Sequence, residues 1–251
     1  MNDNDIQPLN IIINRLLATK PSYFVLDYSR RSFCQDGGLE RFIKSLENNN
    51  TLLKLSIHNN DIDINCAKIL SNTLKINNTL QELHLTDNNI STKSVKILLK
   101  SLETNNTLKI LSISNNNIGN VGAKIISKFV KKNNTIETLW LYKNNIDDCG
   151  IKMLCNSLKK NNTLQNIFIG NNKIGDNSVD ALVELIKNNY TLQLIDISNN
   201  NINSDGVDKI CKSLQYNYGL HDIYGINTRN IISERDECLH KKFLTNKSAR
   251  N

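Results

Sequence analysis

The stretch TLQELHLTDNNI, Thr79–Ile90, decides how this chain folds, because it returns with its spacing intact. TLKILSISNNNI occupies Thr107–Ile118, TIETLWLYKNNI Thr135–Ile146 and TLQNIFIGNNKI Thr163–Ile174, each starting 28 residues after the one before. Thr51 and Thr191 extend the series to six units without an insertion. Apolar residues alternate inside each unit, as at Leu83 and Leu85, which marks a short half-buried strand. The segment that follows it, such as VKILLKSLETNN from Val95 to Asn106, spaces Val95, Leu98, Leu99 and Leu102 along one face of a helix. One strand and one helix cannot cover their own apolar faces, so neighbouring units have to stack.

The frame L-x-x-L-x-L-x-x-N-x-I is carried by Leu80, Leu83, Leu85, Asn88 and Ile90, and again by Leu108, Leu111, Ile113, Asn116 and Ile118. It resembles the frame of leucine-rich repeat proteins of the ribonuclease-inhibitor-like subclass, over about residues 23–226. The resemblance implies an α/β fold, a curved leucine-rich repeat solenoid with parallel strands on the concave face and helices on the convex face. Asn60, Asn88, Asn116, Asn144, Asn172 and Asn200 recur where each strand bends into its loop. An amide there offers a donor and an acceptor to backbone groups that stacking would bury, so the column is expected to be a structural asparagine ladder. Three regions follow: an N-terminal cap and degenerate first strand over 1–33, 28-residue repeats over 34–219, and a degenerate terminal repeat, cap and polar tail over 220–251. The first strand is expected around Leu26 and Tyr28 with one extra loop residue, and Ile6–Leu17 as an amphipathic helix over it.

Composition narrows the class of function. The 251 residues are 39% hydrophobic and 22% charged, with a formal net charge of +7, which reads as soluble and globular. Roughly one residue in six is asparagine. The acidic start and the interruption of the first apolar run by Asn14 and Arg15 do not make a signal peptide. No apolar run approaches the ~20 residues that span a bilayer, so the expected location is cytoplasmic. Cys34, Cys66, Cys149, Cys155, Cys211 and Cys238 form no CxxC pair and are expected to be reduced. The Asn-x-Thr triplets at Asn49, Asn77, Asn105, Asn133, Asn161 and Asn189 are glycosylation acceptors only in a secreted protein, where one glycan per unit would crowd a repeat edge.

Chemistry-bearing motifs are absent from the sequence. There is no nucleophile elbow, phosphate-binding loop or HExxH, and His58, His84, His221 and His240 have no metal-ligand spacing. The expectation is a non-enzymatic protein with no catalytic residue, no metal and no cofactor. Relatives implied by the resemblance include activators of small GTPases and binders of ribonucleases or of actin ends, so the fold by itself assigns no partner.

The residues between the core leucines are expected to point outward from the sheet. Read across the units, the central outward column runs Ser56, His84, Ser112, Trp140, Phe168, Asp196 and Tyr224. Trp140, Tyr142 and Phe168 cluster there within two adjacent strands, with Ile110 and Leu194 flanking. Together with Tyr224 and His84 these are the candidate partner-binding residues, because aromatic anchors dominate interface energy. The expected function is a protein–protein interaction scaffold that docks a protein partner on this concave face; homo-oligomerisation is the other use of the same surface. Two alternatives remain, regulation of a small GTPase and electrostatic binding of RNA or an anionic membrane by the lysine register Lys68, Lys96, Lys124 and Lys152. Nucleic acid is disfavoured, since no aromatic residues interleave with those lysines to stack on bases.

Overall fold

The computed structural model describes the backbone of residues 22–27 and the chain over 37–214, 217 and 219–225. The cap helix expected at Ile6–Leu17, together with Tyr28, Cys34, Cys238, His240 and the polar tail, lies outside the described residues. The chain divides into two compact units, Met1–Asn117 and Ile118–Asn251. In the first, β1 (Ser22–Asp27), α1 (Gly38–Ser45), β2 (Leu52–His58), α2 (Ile64–Ile76), β3 (Glu82–His84), α3 (Thr92–Ser101) and β4 (Ile110–Ser112) alternate. The second runs α4 (Gly119–Val130), β5 (Thr138–Trp140), α5 (Asp148–Leu158), β6 (Asn166–Phe168), α6 (Val179–Asn188), β7 (Leu194–Asp196), α7 (Ser204–Ser213) and β8 (Asp222–Tyr224), with a 3-10 turn, Asp176–Ser178, before α6.

Strands pair in parallel and in chain order within each unit, and from β2 onward each residue faces the one 28 positions later: Leu83 faces Leu111, and Leu139 faces Ile167. This is the strand–helix repeat architecture that the spacing predicts. The core sits between sheet and helices, where Leu55, Leu83, Leu85, Leu139 and Leu141 are fully buried, as are Leu70 of α2 and Leu154 of α5. Helix starts fall at one repeat position, where Asp63 accepts from Asn65 N and Cys66 N, Ser91 from Ser94 N, Asp147 from Cys149 N and Asn203 from Gly206 N. Such caps satisfy amide groups that a helix leaves without an internal partner.

The first strand differs from its expected register. Phe24 faces Leu55 and Leu26 faces Ile57, with an irregularity between Ser22 and Tyr23. Leu26 therefore takes the second apolar position of the strand and Phe24 the first, two residues from the expected phase. Alternation tells outward from inward positions but leaves a two-residue slip undetermined.

The asparagine excess has a backbone explanation. Asn172 Oδ1 accepts from Asn144 N and Ile146 N, both at 3.0 Å, while its Nδ2 donates to the carbonyls of Leu141, Ile169 and Gly170 at 2.9 to 3.1 Å. Asn116 does the same in the first unit, accepting from Asn88 N and Ile90 N and donating to Leu85 O, Ile113 O and Ser114 O. Residues on either side of this column hold left-handed backbone, among them Asn59 and Asp61, Asn115 and Asn117, Asn171 and Asn199. Asparagine adopts that region more readily than other residues with a Cβ.

A second asparagine column closes the turn after each helix, and it coincides with the Asn-x-Thr triplets. Asn161 accepts from Thr163 N and Leu164 N and donates to Val130 O and Asn133 O of the preceding repeat. Asn77, Asn105 and Asn189 repeat the pattern, and all three are buried. In the folded chain these amides are tied to backbone and covered by their neighbours, so they offer no attachment point for a glycan.

Candidate partner-docking site

Trp140 closes β5 and Phe168 closes β6 in the same register, Trp140 facing Phe168. Their flanking residues Leu139, Leu141, Ile167 and Ile169 are buried in the core, so strand alternation sends the two rings to the opposite face of the sheet. The rings stack nearly parallel, with centroids 3.8 Å apart and planes 11° from parallel. Tyr142 joins them at 5.9 Å from Trp140 and 6.2 Å from Phe168, tilted against both. All three side chains are half-buried.

Gly170 makes room for Tyr142. A Cβ at Gly170 would stand 2.3 Å from Tyr142 Cε1 and 2.6 Å from Ser198 Oγ, so the tyrosine ring occupies the volume a side chain would need. The cluster is thus built by four residues from two strands and their exits, of which only the aromatic three announce themselves in the sequence.

The remaining candidate residues take different places. Leu194 is half-buried and has Asn166 and Asp222 as register partners. Tyr224 is 41% exposed and faces Asp196. Ile110 and His84 belong to the first unit, where Ile110 faces Glu82 and His84 faces Ser56 on one side and Ser112 on the other. Trp140, Tyr142 and Phe168 each contact the other two through their rings.

Three positions expected to face outward, Ser56, Ser112 and Asp196, are buried instead. Strands stand ~4.8 Å apart, and a short side chain between longer neighbours at that spacing is covered by them. Asp196 is the notable case. It is 5% exposed, its Oδ1 accepts from Ser198 N at 2.8 Å, and it lies in register between Phe168 and Tyr224. The repeat spacing already set these three in one column, but no pattern in the sequence distinguishes a buried carboxylate from a solvated one.

The sheet face of the first unit is polar. Lys54 Nζ lies 2.7 Å from Glu82 Oε1, His84 Nε2 lies 3.7 Å from Glu82 Oε2, and Ser56 Oγ meets His58 Nε2 at 2.5 Å. His58 and His84 are half-buried rather than fully solvated. Burial pushes the His84 pKa below its ordinary value, and the pull of Glu82 in the other direction does not offset it. On the helices, Lys68 and Lys96 of the first unit and Lys124 and Lys152 of the second are exposed. No group of three His, Cys, Asp or Glu side chains among the described residues is arranged to hold a metal ion. No helix among them is long and apolar enough to cross a membrane.

The Leucine Rich repeat family model matches residues 77–98, 104–127 and 188–211. Among solved structures, the chain is similar to the leucine-rich repeat-containing protein LegL7 from Legionella pneumophila, with 15% identity and a TM-score of 0.58 over 93% of this chain and 77% of that one. It is also similar to the structure titled Leiomodin-1 Actin-Binding Site 2, with 17% identity and a TM-score of 0.54 over 61% of this chain and 91% of that one. No curated protein matches the sequence. At these identities the likeness is one of fold.

Proposed function

We propose that this chain, a leucine-rich repeat protein, is a non-enzymatic cytoplasmic scaffold that docks a protein partner on the sheet face of its second unit. Trp140, Tyr142 and Phe168 are the anchors. The observation that carries the reading is the Trp140–Phe168 stack, two large apolar rings side by side on a sheet face and half open to water. Buried aromatic anchors carry most of the energy in protein interfaces, and an apolar patch rimmed by polar residues such as Asn166 and Ser198 is a usual binding surface.

The test is an affinity purification with the wild type and a Trp140→Ala, Phe168→Ala double variant shown to be folded by circular dichroism. Truncating an interface anchor costs ~2 kcal/mol or more, so proteins recovered by the wild type are expected to be depleted at least tenfold with the variant. Equal recovery from the folded variant refutes the reading. The exposed lysines support a second reading, electrostatic attachment to RNA or an anionic bilayer. It requires saturable binding to RNA or to phosphatidylserine vesicles that weakens steeply with salt, and no binding at low ionic strength eliminates it.

A further inference from the structure

The outward column of the second unit holds an aromatic–acid–aromatic row: Phe168, Asp196 and Tyr224 stand in register on three successive strands. Phe168 has one ring face covered by Trp140 at 3.8 Å. Because the two rings stack along the row, the other face of Phe168 is turned toward the position of Asp196. Tyr224 bounds the far side, two strand spacings from Phe168, or roughly 9.6 Å. Two aromatic residues with a carboxylate between them in register offer what a flat cation uses, a ring to stack on and an acid to pair with.

Charge distribution points the same way. No lysine or arginine occupies an outward position of β5 to β8, although the chain as a whole carries +7. The charged residues in those positions are Asp196 and, beside Leu194, Asp222. Among the described residues no ion pair involves Asp196 or Asp222. Asp196 Oδ1 accepts from Ser198 N, and a cation supplied from outside would give the carboxylate an ionic partner that the described residues do not.

We infer that the second unit's sheet face recognises a basic segment of its protein partner, with an arginine side chain stacked on Phe168 or Tyr224 and paired with Asp196 and Asp222. This rests on the docking face proposed above and gives its partner a chemistry. Arginine suits the row better than lysine, because a guanidinium is planar, stacks on aromatic rings and donates in a fork to a carboxylate.

Trp140 is the only tryptophan in the chain, so its emission reports on this row directly. The titration uses the full chain and a short peptide of alternating glycine and arginine, against the same peptide with lysine and with glutamate. The arginine peptide is expected to change Trp140 emission saturably, more tightly than the lysine peptide, with the glutamate peptide inert and added salt weakening the effect. Asp196→Asn keeps the acceptor for Ser198 N and removes the charge; it and Asp222→Asn are each expected to weaken binding on the order of tenfold. The inference is overturned if the arginine peptide produces no saturable change up to millimolar concentration. It is equally overturned if both asparagine variants bind like the wild type or if the glutamate peptide binds as well. The two readings fail separately. A cellular partner lost by Trp140→Ala, Phe168→Ala but kept by Asp196→Asn, Asp222→Asn leaves the docking face standing and removes only its basic ligand.

Discussion

Replacing Asn172 by alanine removes five hydrogen bonds to backbone in a site that is 8% exposed. The two amides it accepts from, Asn144 N and Ile146 N, lose their side-chain acceptor, and each unsatisfied buried group costs about 1–3 kcal/mol. The expected loss is therefore about 4 kcal/mol, measured by urea denaturation followed by far-UV circular dichroism. Asn188→Ala, at an exposed amide bonded to Glu184 of its own helix, is the matched control and should fall within about 0.5 kcal/mol of wild type. Asn172→Asp gives a sharper signature. Its carboxyl keeps an acceptor for both amides, but its second oxygen meets three carbonyl oxygens and has to donate, so the folded state holds the proton above the ordinary aspartate range, ~3.9. A folded-state pKa above the unfolded one means that protonation favours folding. The deficit of Asn172→Asp is thus largest at neutral pH and narrows as the solution is acidified. A loss under about 1 kcal/mol for Asn172→Ala, or a deficit of Asn172→Asp that does not change with pH, refutes the reasoning.

Three further outcomes are expected. Lys143 has a left-handed backbone, φ 49°, where the equivalent positions carry Asn59, Asp87, Asn115, Asn171 and Asn199, so Lys143→Asn should raise stability by about 0.5–1 kcal/mol in the same denaturation assay. The His84 pKa lies below its ordinary 6.5 because of burial, so the folded chain binds that proton more weakly than the unfolded one. Stability should fall as pH drops through 6.5 toward the lower folded-state value and be flat in this respect above it, and His84→Gln should remove that part of the slope in urea titrations. Burial pushes the Cys155 thiol up to about 12, and Cys66 and Cys211 are also buried while Cys149 is exposed. Iodoacetamide at mildly alkaline pH, which needs thiolate and access, should label Cys149 and spare the other three until denaturant is added, as read by peptide mass spectrometry.

The parts of the fold written as a periodic constraint were legible, and those set by a single local choice were not. Leu83 and Leu111 share a register because every unit must present the same face to its neighbour, and 28-residue spacing announces that directly. The phase of β1 has no such redundancy: both Phe24–Leu26 and Leu26–Tyr28 alternate acceptably, and the pairing with Leu55 and Ile57 chose the former. Asn161 was visible as a repeated residue but carried the pattern of a glycosylation acceptor, and its hydrogen bonds to Val130 O and Asn133 O are contacts between repeats that no local motif encodes. At the candidate site, alternation located Trp140, Tyr142 and Phe168, whereas the slot at Gly170 and the burial of Asp196 depend on how neighbouring side chains lean.

The Trp140–Phe168 stack has a competing explanation, that it exists to hold two strands together. Such a pair contributes about 0.5–1.5 kcal/mol beyond the area it buries. The first unit weighs against that explanation, because its strands β2, β3 and β4 keep the same parallel register with Ser56, His84 and Ser112 in the equivalent column. β7 keeps the same register with Asp196 in that column. The repeat therefore tolerates small, polar and charged residues at this position without losing register, and the fold has no need of tryptophan there. A double-mutant cycle on Trp140 and Phe168 separates the two explanations. Coupling of about 1 kcal/mol or less in stability, beside a tenfold or greater loss of partner recovery, is the outcome expected of a docking surface. Coupling of several kcal/mol in stability with recovery unchanged would make the stack a part of the fold and remove the reason to look for a partner on this face.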